Sequence, residues 1–228
     1  MSNRESRLID VRIDQYGAIT PGMWELRLRG PALAHVRARP GAHVPVEIPV
    51  EDAAPVLRTY SVWARDPASA ALTLRVAGHR PGGPGSRWAA TAMVGQRLRI
   101  GLPRNKISLE PGAPYHVFAG EETGAVPLLA MLSALPAGAR TFGVLETVDT
   151  AHELSIPEGA GLRWVHRGAA SAMNSPVLLR AIRRLELPSA PGVAYLAGES
   201  ATCRAVTTFI PAARRKASWL PSWAGVIE

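Results

Sequence analysis

The sequence predicts a two-domain protein, an N-terminal antiparallel β-barrel followed by a C-terminal α/β domain built on a doubly wound parallel sheet. Three observations carry this expectation. The first half holds six short runs with apolar or β-branched residues at alternating positions, separated by Pro/Gly turns, as in small antiparallel barrels. In the second half the period changes, and strand-like runs ending in glycine alternate with helical patterns, as in parallel βαβ units. Between them, Glu110-Pro-Gly-Ala-Pro114 reads as a linker, which sets the domains at residues 1–112 and 113–228.

The barrel strands are expected at Leu8–Asp14, Met23–Leu28, Val44–Ile48, Leu57–Trp63, Ala71–Val76 and Arg97–Ile100. Thr20-Pro-Gly22, Arg39-Pro-Gly41 and Asp66-Pro67 punctuate them, and one short helix is expected near Arg87–Met93. In the second domain Tyr115–Ala119, Arg140–Glu146, Leu162–His166 and Val193–Ala197 read as strands. Helices are expected over Pro127–Leu135, over Asn174–Leu185 with Leu178, Ile182 and Leu185 on one face, and over Thr202–Phe209.

Composition narrows the function classes. A single cysteine, Cys203, rules out an internal disulfide and a four-thiolate iron–sulfur cluster. The six histidines form no i,i+4 pair and no cluster with carboxylates at metal-ligand spacing, so redox chemistry here calls for an organic cofactor. The net charge of +8 comes from scattered arginine, with lysine only at Lys106 and Lys216. The short basic runs Arg183/Arg184 and Arg214–Lys216 lack interleaved aromatic residues, which argues against nucleic acid and for anionic small ligands. The polar start and the lack of about 18 uninterrupted apolar residues argue against a membrane partner and for a cytoplasmic protein.

Four segments can carry chemistry. In Arg58-Thr59-Tyr60-Ser61, strand alternation sets Arg58 and Tyr60 on one face with Ser61 at the strand's end. Arg58 offers a fork to a phosphate, Tyr60 a ring for a planar heterocycle and Ser61 a hydroxyl for a ring nitrogen. A surface arginine paired with a carboxylate, beside a core tyrosine, is the plain alternative. One hairpin later comes Gly82-Gly83-Pro84-Gly85-Ser86, where glycines admit a close ligand and Ser86 can cap the helix that follows. The third segment, Gly120-Glu121-Glu122-Thr123-Gly124-Ala125-Val126-Pro127, leaves the first parallel strand for a helix, where doubly wound sheets place dinucleotides. There Gly124 and Pro127 can equally well only shape the turn. The fourth, Leu196-Ala197-Gly198-Glu199, repeats that geometry at the last predicted strand, with Cys203 read as buried helix packing.

The order Arg-x-Tyr-Ser, hairpin, Gly-Pro-Gly-Ser, helix resembles the FAD-binding barrel of the ferredoxin-reductase-like superfamily. More closely, the chain resembles the siderophore-interacting proteins, through Leu57–Val62, Gly83–Ala89, Val94–Leu98, Gly101–Pro103, Thr20–Met23 and Trp164–Arg167. The resemblance implies an FAD whose pyrophosphate meets Arg58 and Ser86, whose isoalloxazine lies against Tyr60 and whose N5 lies near Ser61; Thr59, Gly83 and Gly85 complete the cradle. It also implies that Thr123, Gly124, Gly198 and Glu199 bound a site for NADH or NADPH. The Thr-Gly-Ala-Val-Pro spacing is closer to the nicotinamide loop of the wider superfamily than to the family's own shorter loop. The tail departs further: Ala217–Ala224 keeps Trp219, a candidate cover for the flavin, and adds Trp223, but lacks the family's Tyr and Arg.

The implied activity is NAD(P)H-linked reduction of an anionic ferric siderophore, or of another small-molecule acceptor. A different flavin enzyme on the same scaffold, or a non-enzymatic flavin- or chelate-binding protein, are the alternatives. NADH versus NADPH is expected to depend on whether Arg167 or the Arg183/Arg184 pair reaches a 2′-phosphate.

Overall fold

The computed structural model describes residues 8–51, 53–78 and 82–210, with residues 213–220 described as backbone. The chain divides into two compact units that meet in sequence between Asn105 and Lys106, ahead of the Pro/Gly-rich segment at Glu110–Pro114.

In the first unit β1 (Ile9–Thr20), β2 (Met23–Arg29), β3 (Ala42–Val50), β4 (Ala53–Asp66), β5 (Ala71–Ala77), β6 (Arg97–Ile100) and β7 (Arg104–Asn105) pair only antiparallel. The order is β4-β5-β2-β1-β6-β3-β7, and β3 also pairs with β4, so six strands close on themselves. Closure leaves no long exposed edge for another chain to extend. The alternation read from sequence is the inside/outside pattern of the barrel: Ala42, Val44, Val46 and Ile48 of β3 are fully buried, with half-buried residues between. Ile13, Leu26, Leu28, Leu72, Leu74 and Ile100 fill the rest of the core. Helix α1 (Pro84–Thr91) adds Trp88 and Ala89, and Tyr16 Oη donates to the Ala89 carbonyl at 2.8 Å.

Two local expectations are corrected here. The helix begins at Pro84 and ends at Thr91, earlier than Arg87–Met93, because proline at the first helical position needs no N–H partner and brings a preset φ. Its cap is therefore Gly83, and Ser86 lies in the first turn rather than at the cap. Strand β4 continues to Asp66, so Ser61 is mid-strand, paired with His43 on one side and Arg75 on the other.

The second unit holds β8 (His116–Glu121), α2 (Glu122–Leu132), β9 (Thr141–Thr147), β10 (Leu162–His166), α3 (Pro176–Arg183), β11 (Gly192–Glu199), α4 (Ser200–Thr207) and β12 (Ala213–Leu220). All pairings are parallel, in the order β10-β9-β8-β11-β12. The central strands β8 and β11 are buried at every residue, as expected of parallel strands covered on both faces. The chain winds outward from β8 to β10, then returns to β11 and β12, which makes the β8/β11 junction the topological switch point. Strand β12 is unanticipated by sequence, since Ala213–Lys216 carries charge rather than an apolar run; it pairs in register with β11, Gly198 opposite Trp219. Helices α2 and α4 start sooner than expected because Glu121 and Glu199 cap them, whereas α3 starts two residues later than expected, at Pro176, with Ser175 as its cap.

Candidate functional site

In the barrel, the β3–β4 register places Val46 opposite Arg58 and Val44 opposite Tyr60. Tyr60 packs on the core side of β4 and meets Trp88 of α1 at 5.7 Å between ring centroids, tilted by 31°. Gly85, buried in the first turn of α1, lies so close that a Cβ there would sit 2.6 Å from Tyr60 Oη and 3.4 Å from Arg58 Cγ. Only glycine lets the amide end of α1 settle onto Arg58 and Tyr60 in this way. The Tyr60 hydroxyl is buried without a hydrogen-bond partner, and its pKa is pushed up by burial, with Arg58 opposing. Arg58 donates from Nη1 to the neighbouring Leu57 carbonyl at 2.9 Å, and among the described residues no carboxylate pairs with it. Gly83 faces open space, and Arg87 Nη1 closes the turn onto the Gly82 carbonyl at 2.7 Å. Thr59 is exposed on the opposite face of the strand from Tyr60.

At the carboxyl edge of the sheet, the β8–α2 and β11–α4 turns stand side by side at the switch point. Helix α2 approaches β11 so closely that a Cβ on Gly124 would lie 1.9 Å from the Ala197 carbonyl oxygen. Gly124 therefore packs helix against strand, and a side chain there would strike β11 backbone. Gly198 has φ +129°, a conformation open to glycine, and a Cβ on it would fall 2.7 Å from Glu121 Oε1. Glu121 accepts from Thr123 N at 2.8 Å, from the Thr123 hydroxyl, and from Glu199 N at 3.1 Å. Burial, then the Glu122 charge, raise its pKa to about 7 against the Thr123 hydrogen bonds and Arg167. Glu199 is taken up by its own helix: Oε2 accepts from Thr202 N at 2.8 Å and Oε1 from Ser200 Oγ at 3.3 Å. Burial opposes its ionisation, but these bonds hold its pKa below the usual value.

Arg167 is committed within the protein. Its guanidinium forks onto Glu122, with Nη1 2.6 Å from Oε2, and lies 3.8 Å from the fully buried Glu146. Glu146 in turn accepts from Leu178 N at 3.1 Å and from Ser175 Oγ. Arg183 stacks over Phe209 at 4.0 Å. Cys203 is buried in α4, and burial pushes its thiol up to about 12, far from thiolate chemistry at neutral pH.

The predicted residues thus fall into two groups. Arg58, Tyr60, Gly83, Gly85 and Ser86 gather at the β4–α1 junction, with Thr59 and Ser61 on the same strand, and Thr123, Gly124, Gly198 and Glu199 gather at the switch point. The Trp219 backbone joins that second group by register, whereas its side chain and Trp223 lie outside the described residues. Sequence reasoning missed Trp88 as the partner of Tyr60 and Glu121 as the link between the two turns. The signal for Glu121 was present, since a carboxylate ending a fully apolar strand must find donors nearby.

A buried hydroxyl without a hydrogen-bond partner and an arginine without a carboxylate, both among the described residues, with a helix amide end reached through glycine, fit a planar heterocycle carrying a pyrophosphate. A closed six-stranded antiparallel barrel followed in sequence by a doubly wound parallel sheet is the ferredoxin-reductase-like fold class. Within that class the chain belongs to the siderophore-interacting protein family: residues 40–107 match its FAD-binding domain and residues 113–223 the siderophore-interacting protein model. The chain is 30% identical over 177 residues to the ferric vibriobactin reductase ViuB of Vibrio cholerae, across 74% of this chain and 65% of that protein, just under two thirds of its length. A siderophore utilization protein from T. fusca superposes with a TM-score of 0.81 at 26% identity, covering 97% of this chain and 94% of that one. The siderophore-interacting protein SipS from Aeromonas hydrophila shares the fold, with a TM-score of 0.80 at 22% identity over 98% and 94% of the two chains. Among the described residues no helix is long and apolar enough to cross a membrane.

Proposed function

We propose that the chain is an FAD-dependent reductase that draws electrons from NADH or NADPH and delivers them to a ferric siderophore, releasing Fe(II). The observation that carries this reading is the junction of Arg58, Tyr60 and the amide end of α1, left with unused hydrogen-bonding capacity inside a domain that matches the family's FAD-binding domain. In this reading Arg58 and Ser86, with the first-turn amides of α1, hold the pyrophosphate. Tyr60, backed by Trp88, lies against the isoalloxazine, and its hydroxyl gains the partner it otherwise lacks. Ser61 would stand near the ring's N5, while Thr59 lies on the strand's opposite, exposed face. Gly83 and Gly85 keep the approach open. Thr123, Gly124, Gly198 and Glu199 form the two rims of the nicotinamide site at the switch point.

Bound FAD supplies the redox chemistry, a hydride in from the nicotinamide and single electrons out, so one NAD(P)H reduces two ferric centres and releases one proton. The chain's own part is to bind and orient. The ferric ion is substrate, carried by its chelator, and Fe(II) leaves hard oxygen ligands because it is less charged and softer than Fe(III). With a net charge of +8, the protein favours anionic chelates. Release of imported iron places this activity in the cytoplasm.

The test loads the protein with FAD, follows flavin reduction by NADH and by NADPH in stopped flow, and traps Fe(II) with a ferrous-specific dye across several ferric siderophores. Flavin bleaching followed by dye formation is expected, slower with rising salt for anionic chelates. Bleaching without dye formation from any ferric chelate would sink the siderophore reading and leave a flavin reductase with another acceptor.

A further inference from the structure

We propose that Glu121 is the positioning residue of the dinucleotide site, its carboxylate locking the Thr123 turn to the Gly198–Glu199 turn across the switch point. The proposal rests on the reading that this edge of the sheet takes a nicotinamide dinucleotide.

Glu121 is 3% exposed at the end of a strand buried throughout, and a carboxylate there is costly unless donors surround it. The donors come from two separate turns. Thr123 N and Oγ1 belong to the start of α2, and Glu199 N begins the turn into α4, with a sequence separation of 78 residues between Glu121 and Glu199. Oε1 serves both turns, bonding the Thr123 hydroxyl and Glu199 N together. Gly198 closes on the same oxygen more tightly than any other residue could. The cation that would ordinarily justify a buried carboxylate is engaged elsewhere, since Arg167 is forked by Glu122 and shared with Glu146. What Glu121 accomplishes is to fix the spacing of the two turns that a nicotinamide ring must enter. Dinucleotide binding depends on that spacing even though the Glu121 side chain is turned into the protein.

Titration offers a readout peculiar to this role. The charged and titratable groups around Glu121 are Glu122 on α2, Arg167 after β10, Glu146 opposite it on β9, Glu199 on β11 and Cys203 on α4. Above about pH 7 both carboxylate oxygens of Glu121 accept; below it, one becomes a hydroxyl and an acceptor is lost. The KM for the nucleotide should therefore rise as pH falls through about 7.

The experiment compares wild type with Glu121→Gln and with Thr123→Val, which removes only the hydroxyl donor. In Glu121→Gln one acceptor becomes an NH2 facing N–H donors. FAD titration should be unchanged, the KM and the dissociation constant for NADH or NADPH should rise about tenfold, and the saturating rate of flavin reduction should stay within about twofold. The pH step in KM should disappear in Glu121→Gln. Hydrogen exchange at the Thr123 and Glu199 amides, measured without nucleotide, should quicken in the same variant. Thr123→Val should raise the KM about threefold, and it carries the test alone if Glu121→Gln does not fold. Unchanged KM, pH profile and exchange in a folded Glu121→Gln protein, or an unchanged KM in Thr123→Val when that variant stands alone, would overturn the proposal while leaving the dinucleotide reading intact. If the wild-type protein binds neither nucleotide, the reading of this edge falls and the proposal falls with it.

Discussion

The two candidate sites are built on opposite principles. At the β4–α1 junction of the barrel, side chains retain unused capacity: among the described residues Tyr60 Oη has no partner, and Arg58 holds only a neighbouring carbonyl. At the switch point of the sheet, the side chains named from sequence are occupied by the fold itself. Gly124 packs against β11, Glu199 caps α4, Glu121 ties two turns and Arg167 is clamped by Glu122. A ligand at the barrel site meets prepared side chains, whereas a ligand at the sheet edge meets backbone shaped by side chains turned inward. Substitutions should therefore separate affinity from stability in the barrel and combine them in the sheet.

The largest expected effect tests the sheet half of that contrast. In Gly124→Val the new Cβ starts 1.9 Å from the Ala197 carbonyl oxygen, and the obstacle is strand backbone that cannot swing aside. Overpacking of this kind should cost about 3 kcal/mol or more. Thermal unfolding should show a much lower transition, with any loss of nucleotide binding following the loss of structure. A Gly124→Val protein of normal stability that had lost only nucleotide binding would mean that Gly124 faces a ligand, and would erase the contrast.

The next effect is large in affinity and small in stability. Arg58→Ala removes a half-buried guanidinium whose one described hydrogen bond is to the adjacent carbonyl, so the apoprotein should keep its stability to within about 0.5 kcal/mol. A charged contact to phosphate is worth about 1.5–3 kcal/mol, so FAD should bind about ten- to a hundredfold more weakly. Titration of apoprotein followed by flavin fluorescence reads the affinity. Unchanged FAD affinity would remove Arg58 from the cradle.

The same contrast explains what could be read from the sequence. The barrel and the parallel sheet were legible because their periods differ and Pro/Gly turns mark the joints. The cluster at the β4–α1 junction was legible because Arg58, Tyr60 and the Gly82–Ser86 turn are neighbours in sequence or separated by one hairpin, so local spacing nearly sets their geometry. The sheet edge was harder. Glu121 meets Glu199, and Arg167 meets Glu122, only because strands far apart in sequence end side by side, and no local pattern reports such pairings. Helix starts were misplaced for a related reason. Glu121 and Glu199 act as caps through a longer side chain than the Ser, Thr, Asp and Asn that announce most caps. Strand β12 was hidden because Arg214, Arg215 and Lys216 replace the apolar run that marks a buried strand.

The smallest expected effect is also the most discriminating, because it predicts changes of opposite sign. Tyr60→Phe deletes a buried hydroxyl that has no partner among the described residues, while keeping the ring that packs on Trp88. Burying an unsatisfied hydroxyl costs about 1–3 kcal/mol, so its removal should leave the apoprotein as stable as wild type or more so, with a transition unchanged or a few degrees higher. If the hydroxyl is held in reserve for the flavin, the same deletion should weaken FAD binding by one neutral hydrogen bond, about 0.5–1.5 kcal/mol, or about two- to tenfold. Scanning calorimetry of the apoprotein and fluorescence titration with FAD measure the two sides separately. A variant less stable than wild type would show that the hydroxyl is satisfied within the barrel, and equal FAD affinity would show that the flavin never uses it. Either result would make the barrel site as self-contained as the sheet edge, and the contrast between the two would fail at the residue where it is sharpest.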